Sequence, residues 1–329
     1  MTMTKNIHSN NKENKGSKDI EDNRILTFAV PGGKVYINDY YTNSPGSFLN
    51  ISITGQECEL MCRHCQKELL KGMSEACDSK RLVELTEKYM KRAKNDSKDK
   101  NNGSLKGMLI SGGFDLEGKL PVNNILSGVS ELKSKYPFLT IYIHAGFLDD
   151  AEAAALKSSG VDAVLVNLIG SQKAIREVYN LRNRTYSDYL DTIKLLKSHG
   201  LKVSPHIIIG LENGTLSDEF TAVKDALALR VDSLVFVVLK KASRSGDFIS
   251  SKVPYDEIIR LVEYARELSG DVILSFGCAK PPDSSRHLLE IGLIKAGIDS
   301  VAFPAEETIR FAVENRIAHT FVEKCCAIL

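Results

Sequence analysis

The sequence predicts an α/β fold, a (β/α)8 barrel of the TIM type, from three observations. Short apolar runs rich in β-branched residues recur along the chain, amphipathic stretches lie between them, and the 329 residues, 43% of them apolar, suffice for one large core. Near-continuous apolar strands that alternate with helices are typical of a parallel sheet covered on both faces. Eight such units fit a closed barrel, and a doubly wound open sheet is the alternative.

In chain order, the expected strands are 49–55, 107–113, 139–146, 162–170, 202–211, 232–240, 271–278 and 299–305. Among the intervening helices, 187–200 and 255–270 are amphipathic and end in a glycine, which is a C-cap signal. A last helix is expected at 306–318. The predicted organisation is a disordered Asn/Lys-rich tail at 1–24, a lead-in segment at 25–48, the barrel at 49–318 and a C-terminal cysteine tail at 319–329 packing over the barrel mouth.

The composition excludes several classes of protein. A net charge of +1 gives no electrostatic reason to expect a nucleic acid or a membrane surface as partner. No apolar run is long enough to span a membrane, and the first residues have no signal-peptide core. Seven cysteines, an odd number without a secretory signal, argue against a disulfide framework. We therefore expect a cytoplasmic protein whose clustered cysteines hold metal or do redox work.

Function in such a barrel gathers where the strands end. Several residues that could carry chemistry are predicted at these ends. They are the loop that contains Cys58, the segment Ser111-Gly112-Gly113, and His144, Asn167, His206, Cys278 and Glu306. A single histidine at a strand end is usually structural. The set becomes informative because of the cysteine loop.

The loop after the first strand reads ECELMCRHCQ and places Cys58, Cys62 and Cys65 in a C-x3-C-x2-C spacing. Three thiolates on one tight loop can ligate three irons of a [4Fe–4S] cubane and leave the fourth iron open. A zinc site completed by His64 or a distant cysteine is the alternative, but structural zinc loops usually pair two C-x2-C knuckles. Three ordinary buried cysteines are the remaining interpretation.

This spacing resembles the signature of the radical S-adenosylmethionine (SAM) superfamily. The resemblance implies that SAM chelates the open iron, and that one electron cleaves SAM to methionine and a 5′-deoxyadenosyl radical, which abstracts hydrogen from an unactivated carbon. It also implies that Ser111, Gly112 and Gly113 meet the amino group of SAM. Phe114 stands where the family has an acid, with Asp115 next to it. His64 takes the place of an aromatic residue near the adenine.

Within the superfamily, residues 162–214 are most similar to biotin synthase. The resemblance implies that Arg184 pairs with the carboxylate of SAM, for which a planar guanidinium is suited. It further implies that Asn167 bonds the ribose hydroxyls. Ile209, Gly210 and Leu211 would form an apolar floor under the adenine.

The second cluster of biotin synthase is held by three cysteines and an arginine, and the matching positions here are Leu109, Tyr142, Ser204 and Ile273. Biotin synthesis is therefore not expected. Instead, Cys278 ends the seventh strand, and a C-terminal tail reaching back could add Cys325 and Cys326. We expect these three cysteines to hold an auxiliary iron–sulfur cluster, with Ser284 or Ser285 as a fourth ligand.

This combination is similar to one subunit of the two-component, archaeal-type lipoyl synthases, in which the auxiliary cluster donates sulfur to an octanoyl chain on a carrier-protein lysine. The implied partners are a second radical SAM subunit, an octanoylated carrier (a glycine cleavage H protein or an acyltransferase domain), and ferredoxin or flavodoxin as electron donor. Two alternatives stay open among functions: a radical SAM lyase or mutase of the hydrogenase-maturase or methylornithine type, and a zinc-binding interaction module. The tail Cys326-Ala327-Ile328-Leu329 also matches a prenylation box.

Overall fold

The predicted strands form one parallel sheet in a computed structural model that describes residues 24–96, 105–212, 214–216, 218–239, 253–280 and 284–327. Its strands are β1 (Leu26–Ala29), β2 (Phe48–Ser52), β3 (Ser74–Glu75), β4 (Gly107–Ser111), β5 (Thr140–His144), β6 (Ala163–Leu168), β7 (Val203–Ile209), β8 (Ser233–Val238), β9 (Ile273–Phe276), β10 (Ser300–Ala302) and β11 (His319–Val322). All eight strands expected from the sequence are confirmed as β2 and β4 to β10.

Helices separate successive strands on the outside of the sheet. They are α1 (Ser79–Asp96), α2 (Leu126–Lys135), α3 (Asp150–Ser159), α4 (Gln172–Glu177), α5 (Tyr186–Ser198), α6 (Glu219–Ala228), α7 (Tyr255–Ser269), α8 (Arg286–Lys295) and α9 (Glu306–Glu314). Short 3₁₀ helices occupy Glu68–Gly72 and Val122–Asn124. The glycines expected to end two helices are present after α5 and α7. Gly200 (φ 67°) and Gly270 (φ 53°) take the positive φ that glycine adopts without strain.

The strands follow one another in space almost as they do in the chain. Their order is β11-β1-β10-β9-β8-β7-β6-β5-β4-β2-β3, and the pairings between these strands are parallel. This sequential order is that of an α/β barrel and not of a doubly wound sheet, whose order reverses at a switch point. The sequence analysis missed three strands: β3, which pairs with β2 at one edge, and β1 and β11, which extend the sheet beyond β10.

A single carboxylate links the two edges of this sheet. Glu323, which follows the carboxyl end of β11, accepts hydrogen bonds from Ser47 Oγ, from Ser44 N at 3.2 Å and from Tyr41 Oη at 3.0 Å. Lys106 Nζ lies 3.1 Å from the same side chain. Ser47 and Lys106 precede β2 and β4, so the end of edge strand β11 meets the beginnings of two strands close to the opposite edge, which is the offset that tilted strands produce in a barrel.

Beyond Glu323 the chain turns into the lumen of the barrel. Cys325, Cys326 and Ala327 are at most 5% exposed and pack in one apolar cluster with residues of the surrounding strands: Ala29, Phe48, Tyr142, Ala163, Leu165, Val235 and Ala302. Ser233 Oγ, at the start of β8, donates to the Ala327 carbonyl at 2.9 Å. The tail cysteines therefore lie deeper than a position over the barrel mouth.

Several expectations fall on residues that the structure does not describe. These are the tail at 1–24, of which only Arg24 is described, and residues 328–329 of the prenylation-box match. In the described part of the chain, no helix is long and apolar enough to cross a membrane.

Candidate active site

Hydrogen bonds to the residues that follow β4 and α4 hold the cysteine loop in place. On one side, the Phe114 carbonyl that follows β4 accepts hydrogen bonds from Glu59 N at 2.9 Å and Leu60 N at 3.2 Å. On the other, Asn180, which follows α4, donates from Nδ2 to the Leu60 carbonyl at 2.7 Å. Asn180 holds a left-handed backbone (φ 58°), which asparagine tolerates better than most residues. These bonds fix the loop before any ligand is considered.

Gly113 is the residue that lets the cysteine loop approach β4. A Cβ atom at this position would lie 2.0 Å from the Glu57 carbonyl oxygen and 2.4 Å from Cys58 Cβ, distances that no real side chain tolerates. Its amide donates to Thr54 Oγ1 at 2.7 Å. The Ser-Gly-Gly motif therefore has a steric reason of its own: glycine is required where the two loops touch.

Two thiols of the loop, those of Cys62 and Cys65, lie in surroundings that disfavour the thiolate form. Burial, together with the neighbouring thiols of Cys58 and Cys65, raises the pKa of Cys62 to about 12, and burial also raises the pKa of Cys65. Burial also lowers the pKa of His64 to about 4, and its Nδ1 atom is buried with no hydrogen-bond partner. Three thiolates here need positive charge to offset them, which the irons of a cluster supply, so the donor set fits an iron–sulfur cluster.

One cavity of about 550 Å³ lies beside this loop and extends across the barrel mouth. Its lining is mostly apolar and includes Phe48, Leu60, Leu109, Phe114, Phe147, Val166, Tyr179, Leu181, Tyr189 and Phe303. All three loop cysteines line it. Cys278 and Cys325 line it as well, so the two predicted cysteine sets share one cavity.

The second cysteine set is brought together by the tail. Cys278 Sγ lies 3.8 Å from Cys326 Sγ, although the two residues are 48 positions apart in the chain. Cys325 directly precedes Cys326 in the chain and lines the cavity itself. Ser284 and Ser285, predicted as fourth ligands, are not among the lining residues. Among the described residues, no three His, Cys, Asp or Glu side chains are arranged to hold a single metal ion.

The predicted SAM-contacting residues divide into two groups. His64, Ser111, Gly112, Gly113 and Asn167 line the cavity. Asn167 Oδ1 lies 3.2 Å from His144 Nε2, and the His144 ring packs edge-on against His206 at 5.4 Å. Burial lowers the pKa of both histidines, so both rings are neutral at pH 7. The strand-end histidines are thus a neutral polar layer beneath the cavity.

Other predicted residues lie outside the cavity. Arg184 faces a neighbouring pocket of about 290 Å³, stacks on the Phe147 ring at 4.5 Å and donates from Nε to the Glu117 carbonyl at 3.0 Å. Phe147 lines both pockets and separates Arg184 from the cysteine loop. Ile209 and Leu211 are buried, and neither they nor Gly210 line the cavity. Their roles toward SAM stay predictions.

Sequence reasoning missed three features of the cavity. Lys34 and Phe303 line it from the side of Cys278, and Tyr179 packs on His64 with ring centroids 4.8 Å apart. The Gly32-Gly33 pair before Lys34 is a turn signal that could have drawn attention to this segment. Nothing in the sequence around Phe303 or Tyr179 indicates a site.

The family model of the radical SAM superfamily matches residues 52–226, which is more than half of the chain. Biotin synthase from Cutibacterium acnes is 29% identical over 102 residues, covering 31% of this chain and 27% of that protein. The mitochondrial biotin synthase of Saccharomyces cerevisiae is 24% identical over 245 residues, covering 71% of this chain and 61% of that protein. The chain thus spans less than two thirds of the length of these curated relatives.

Solved structures with the same fold include the FeFe-hydrogenase maturase HydG from Carboxydothermus hydrogenoformans, with a TM-score of 0.57 and 14% identity over 91% of this chain and 68% of that one. Methylornithine synthase (PylB) has a TM-score of 0.52 and 11% identity over 83% of this chain and 72% of that one. At these identities the likeness shows the fold alone. The family match favours the iron–sulfur interpretation of the cysteine loop over the zinc alternative.

Proposed function

Because the chain belongs to the radical SAM superfamily, we propose that it is a radical SAM sulfurtransferase that inserts sulfur into a protein-bound octanoyl chain, as one component of a lipoyl synthase. When bound, the [4Fe–4S] cluster supplies the electron that cleaves SAM reductively and so starts hydrogen abstraction from an unactivated carbon. Cys58, Cys62 and Cys65 would hold that cluster through their thiolates.

The chain's own residues prepare the site for this chemistry. The bonds from Phe114 and Asn180 orient the cysteine loop, and the Ser111-Gly112-Gly113 backbone borders the space next to it. Asn167 presents its side chain to the same cavity and is oriented by His144. The apolar lining excludes water, which would otherwise quench a reactive carbon radical.

One observation carries the sulfur-insertion proposal: a single apolar cavity is bordered by the loop cysteines at one side and by Cys278 and Cys325 at another. A sulfur donor must reach the carbon from which hydrogen has been removed. An auxiliary iron–sulfur cluster on Cys278, Cys325 and Cys326 would border the cavity in which the substrate chain lies. Sulfide from that cluster would then be within reach of the substrate.

The tail also explains how the lumen gains thiols without strand cysteines. Leu109 and Tyr142 stand at two positions where the biotin synthase pattern has cluster ligands, and both pack in the apolar cluster that contains Cys325 and Cys326. The thiols that the strands lack are thus delivered to the same region by the C-terminal segment. This supports a second cluster built from the tail.

The proposal includes partners that the substrate requires. A protein-bound octanoyl group needs a carrier, such as a glycine cleavage H protein or an acyltransferase domain, and reductive cleavage needs ferredoxin or flavodoxin as electron donor. A second radical SAM subunit and a cytoplasmic location complete the proposal.

The test is anaerobic reconstitution followed by iron analysis and product analysis. We expect about eight irons per chain, formation of 5′-deoxyadenosine with dithionite and SAM, and thiolated octanoyl carrier when the carrier and second subunit are added. About four irons with 5′-deoxyadenosine but no thiolated product would instead identify a lyase or mutase and would overturn the sulfurtransferase assignment.

A further inference from the structure

The cavity has a distinctive distribution of charge. Two lysines line it, Lys34 and Lys67, and none of its described lining residues is an aspartate or a glutamate. Apolar side chains make up most of the remainder. A cavity of this kind suits an aliphatic chain with a hydrogen-bond acceptor or negative charge at one end, because apolar burial favours the chain and a lysine satisfies the acceptor.

Lys34 is held at the rim by a closely packed turn. A Cβ atom on Gly32 would lie 2.1 Å from the Ser44 carbonyl oxygen, so glycine is needed there, and one on Gly33 would lie 2.8 Å from Asn50 Nδ2, so the Asn50 side chain would have to move. Asn43, 2% exposed, donates from Nδ2 to the Lys34 carbonyl at 2.7 Å. The backbone that presents Lys34 to the cavity is therefore fixed.

Phe303 supports the Lys34 side chain from below. Lys34 Nζ lies 5.3 Å from the centroid of the Phe303 ring, a cation–π contact. Phe303 itself has a φ of 44°, a strained value for an aromatic residue, and its ring packs against the cluster that contains Cys325 and Cys326. Strained backbone of this kind concentrates at functional sites.

The ammonium group of Lys34 is also available. In the described part of the chain, Lys34 contacts the Phe303 ring and lies near the Cys278 thiol, and no carboxylate lies within ion-pairing distance of its ammonium group. Lys280, the other lysine near Cys278, differs: its Nζ lies 2.7 Å from Glu290 Oε1, and both side chains are buried. Lys34 is therefore the cation that can bind a ligand on the tail-cysteine side.

We propose that Lys34 is a substrate-positioning residue whose ammonium group donates a hydrogen bond to the carbonyl or carboxylate oxygen of an acyl chain lying in the cavity. This inference rests on the proposed acyl substrate and deepens it. With the oxygen held at the rim, the aliphatic carbons extend inward past Phe303 and Cys278, and the chain lies between the two cysteine sets.

The test is equilibrium binding by anaerobic titration calorimetry, using the reconstituted full chain with SAM and no reductant. The probes are a short peptide carrying N6-octanoyl-lysine, free octanoate and octylamine. We expect the octanoyl peptide and octanoate to bind, and Lys34→Gln to weaken both by about tenfold to a hundredfold, the range for a hydrogen bond to a charged group. Lys34→Arg should retain most of the affinity, since charge and donor remain.

Lys295→Gln is the matched control, because Lys295 makes a similar cation–π contact at 5.4 Å with Phe311 outside the cavity; its affinities should equal those of the wild type. Octylamine should bind weakly to the wild type and better to Lys34→Glu. Equal acyl binding by wild type and Lys34→Gln would overturn the role of Lys34 while leaving the acyl substrate standing. If the wild type binds neither acyl probe, the proposed substrate fails, and the Lys34 assignment fails with it.

Discussion

At the scale of single residues, the surroundings of each cysteine decide what it can do. Cys62 lies among apolar side chains and two other thiols, and its raised pKa keeps it protonated unless a cation offsets the charge. Cys77, fifteen positions further along the chain, lies outside the cavity with its thiol 3.5 Å from Glu75 Oε1. Cys62 is thus placed where a metal cluster could be bound, whereas Cys77 lies away from the cavity.

This difference predicts that Cys58→Ala, Cys62→Ala and Cys65→Ala each abolish 5′-deoxyadenosine formation, because loss of one ligand disorders the cubane. The measurement is chromatographic detection of 5′-deoxyadenosine after anaerobic reconstitution and reduction. Cys77→Ala is the matched control and should behave as the wild type. Reductive SAM cleavage by the triple Cys58/Cys62/Cys65 variant would refute the cluster assignment.

A glycine at the same loop gives a second prediction. Gly113→Ala places a methyl group into the Glu57 carbonyl and Cys58 Cβ, so the cysteine loop must move away from β4. We expect reduced iron at this cluster and a loss of stability of about 1–3 kcal/mol, the range for overpacking. Iron analysis and thermal unfolding measure both. In Gly72→Ala, a Cβ meets nothing within 4 Å, so iron content should be unchanged; a similar result for Gly113→Ala would contradict the steric argument.

At the scale of elements, the C-terminal segment has two roles. β11 pairs with β1 in parallel, from Leu26 opposite His319 to Ala29 opposite Val322, and so anchors the segment to the sheet. The residues after it fill the lumen and set Cys326 beside Cys278. Because the tail is part of the buried core and also carries the two cysteines proposed as cluster ligands, deleting it would remove buried packing together with the thiols.

A substitution that keeps the packing therefore tests the auxiliary cluster better than a deletion. We expect Cys325→Ala/Cys326→Ala to keep SAM cleavage, to lose sulfur transfer to the octanoyl carrier, and to lose about half of the iron, from about eight to about four per chain. Truncation after Lys324 should do the same and also lower the unfolding temperature. Full iron content and thiolated product in the double variant would show that the tail cysteines are structural.

At the scale of the whole molecule, the buried carboxylate of Glu323 helps to join the end of β11 to the segments that precede β2 and β4. Burial acts to raise the pKa of Glu323, but the hydrogen bond from Ser47 and the interactions with Lys106 outweigh it, so the pKa of this carboxyl lies below its ordinary value. A carboxyl with a depressed folded-state pKa stabilises the fold above its unfolded-state pKa. That contribution is lost as the pH falls through the unfolded-state value toward the folded-state one.

Glu323→Gln should therefore destabilise the protein at pH 7 by about 1–3 kcal/mol, since charged hydrogen bonds are lost. The difference from the wild type should shrink as the pH falls below about 4, where the wild-type carboxyl also becomes protonated in the unfolded chain. Chemical denaturation across this pH range measures it. Glu84→Gln, which removes an exposed partner of Arg81 at 3.9 Å, should change little at any pH. A pH-independent difference for Glu323→Gln would refute the charge argument.

The sequence alone determined the eight-strand α/β pattern, the glycine stops of α5 and α7 and the C-x3-C-x2-C loop, because periodicity, caps and ligand spacing are local properties of the chain. It missed β1, β3 and β11, which are short, and β1 and β11 gain their partners only from strands distant in the chain. Only the tertiary structure decided that Cys326 meets Cys278 inside the lumen, that Phe147 separates Arg184 from the cavity, and that Lys34 packs on the Phe303 ring beside the cavity. Such contacts depend on strand register and on the curvature of the sheet, which bring together residues that no local pattern relates.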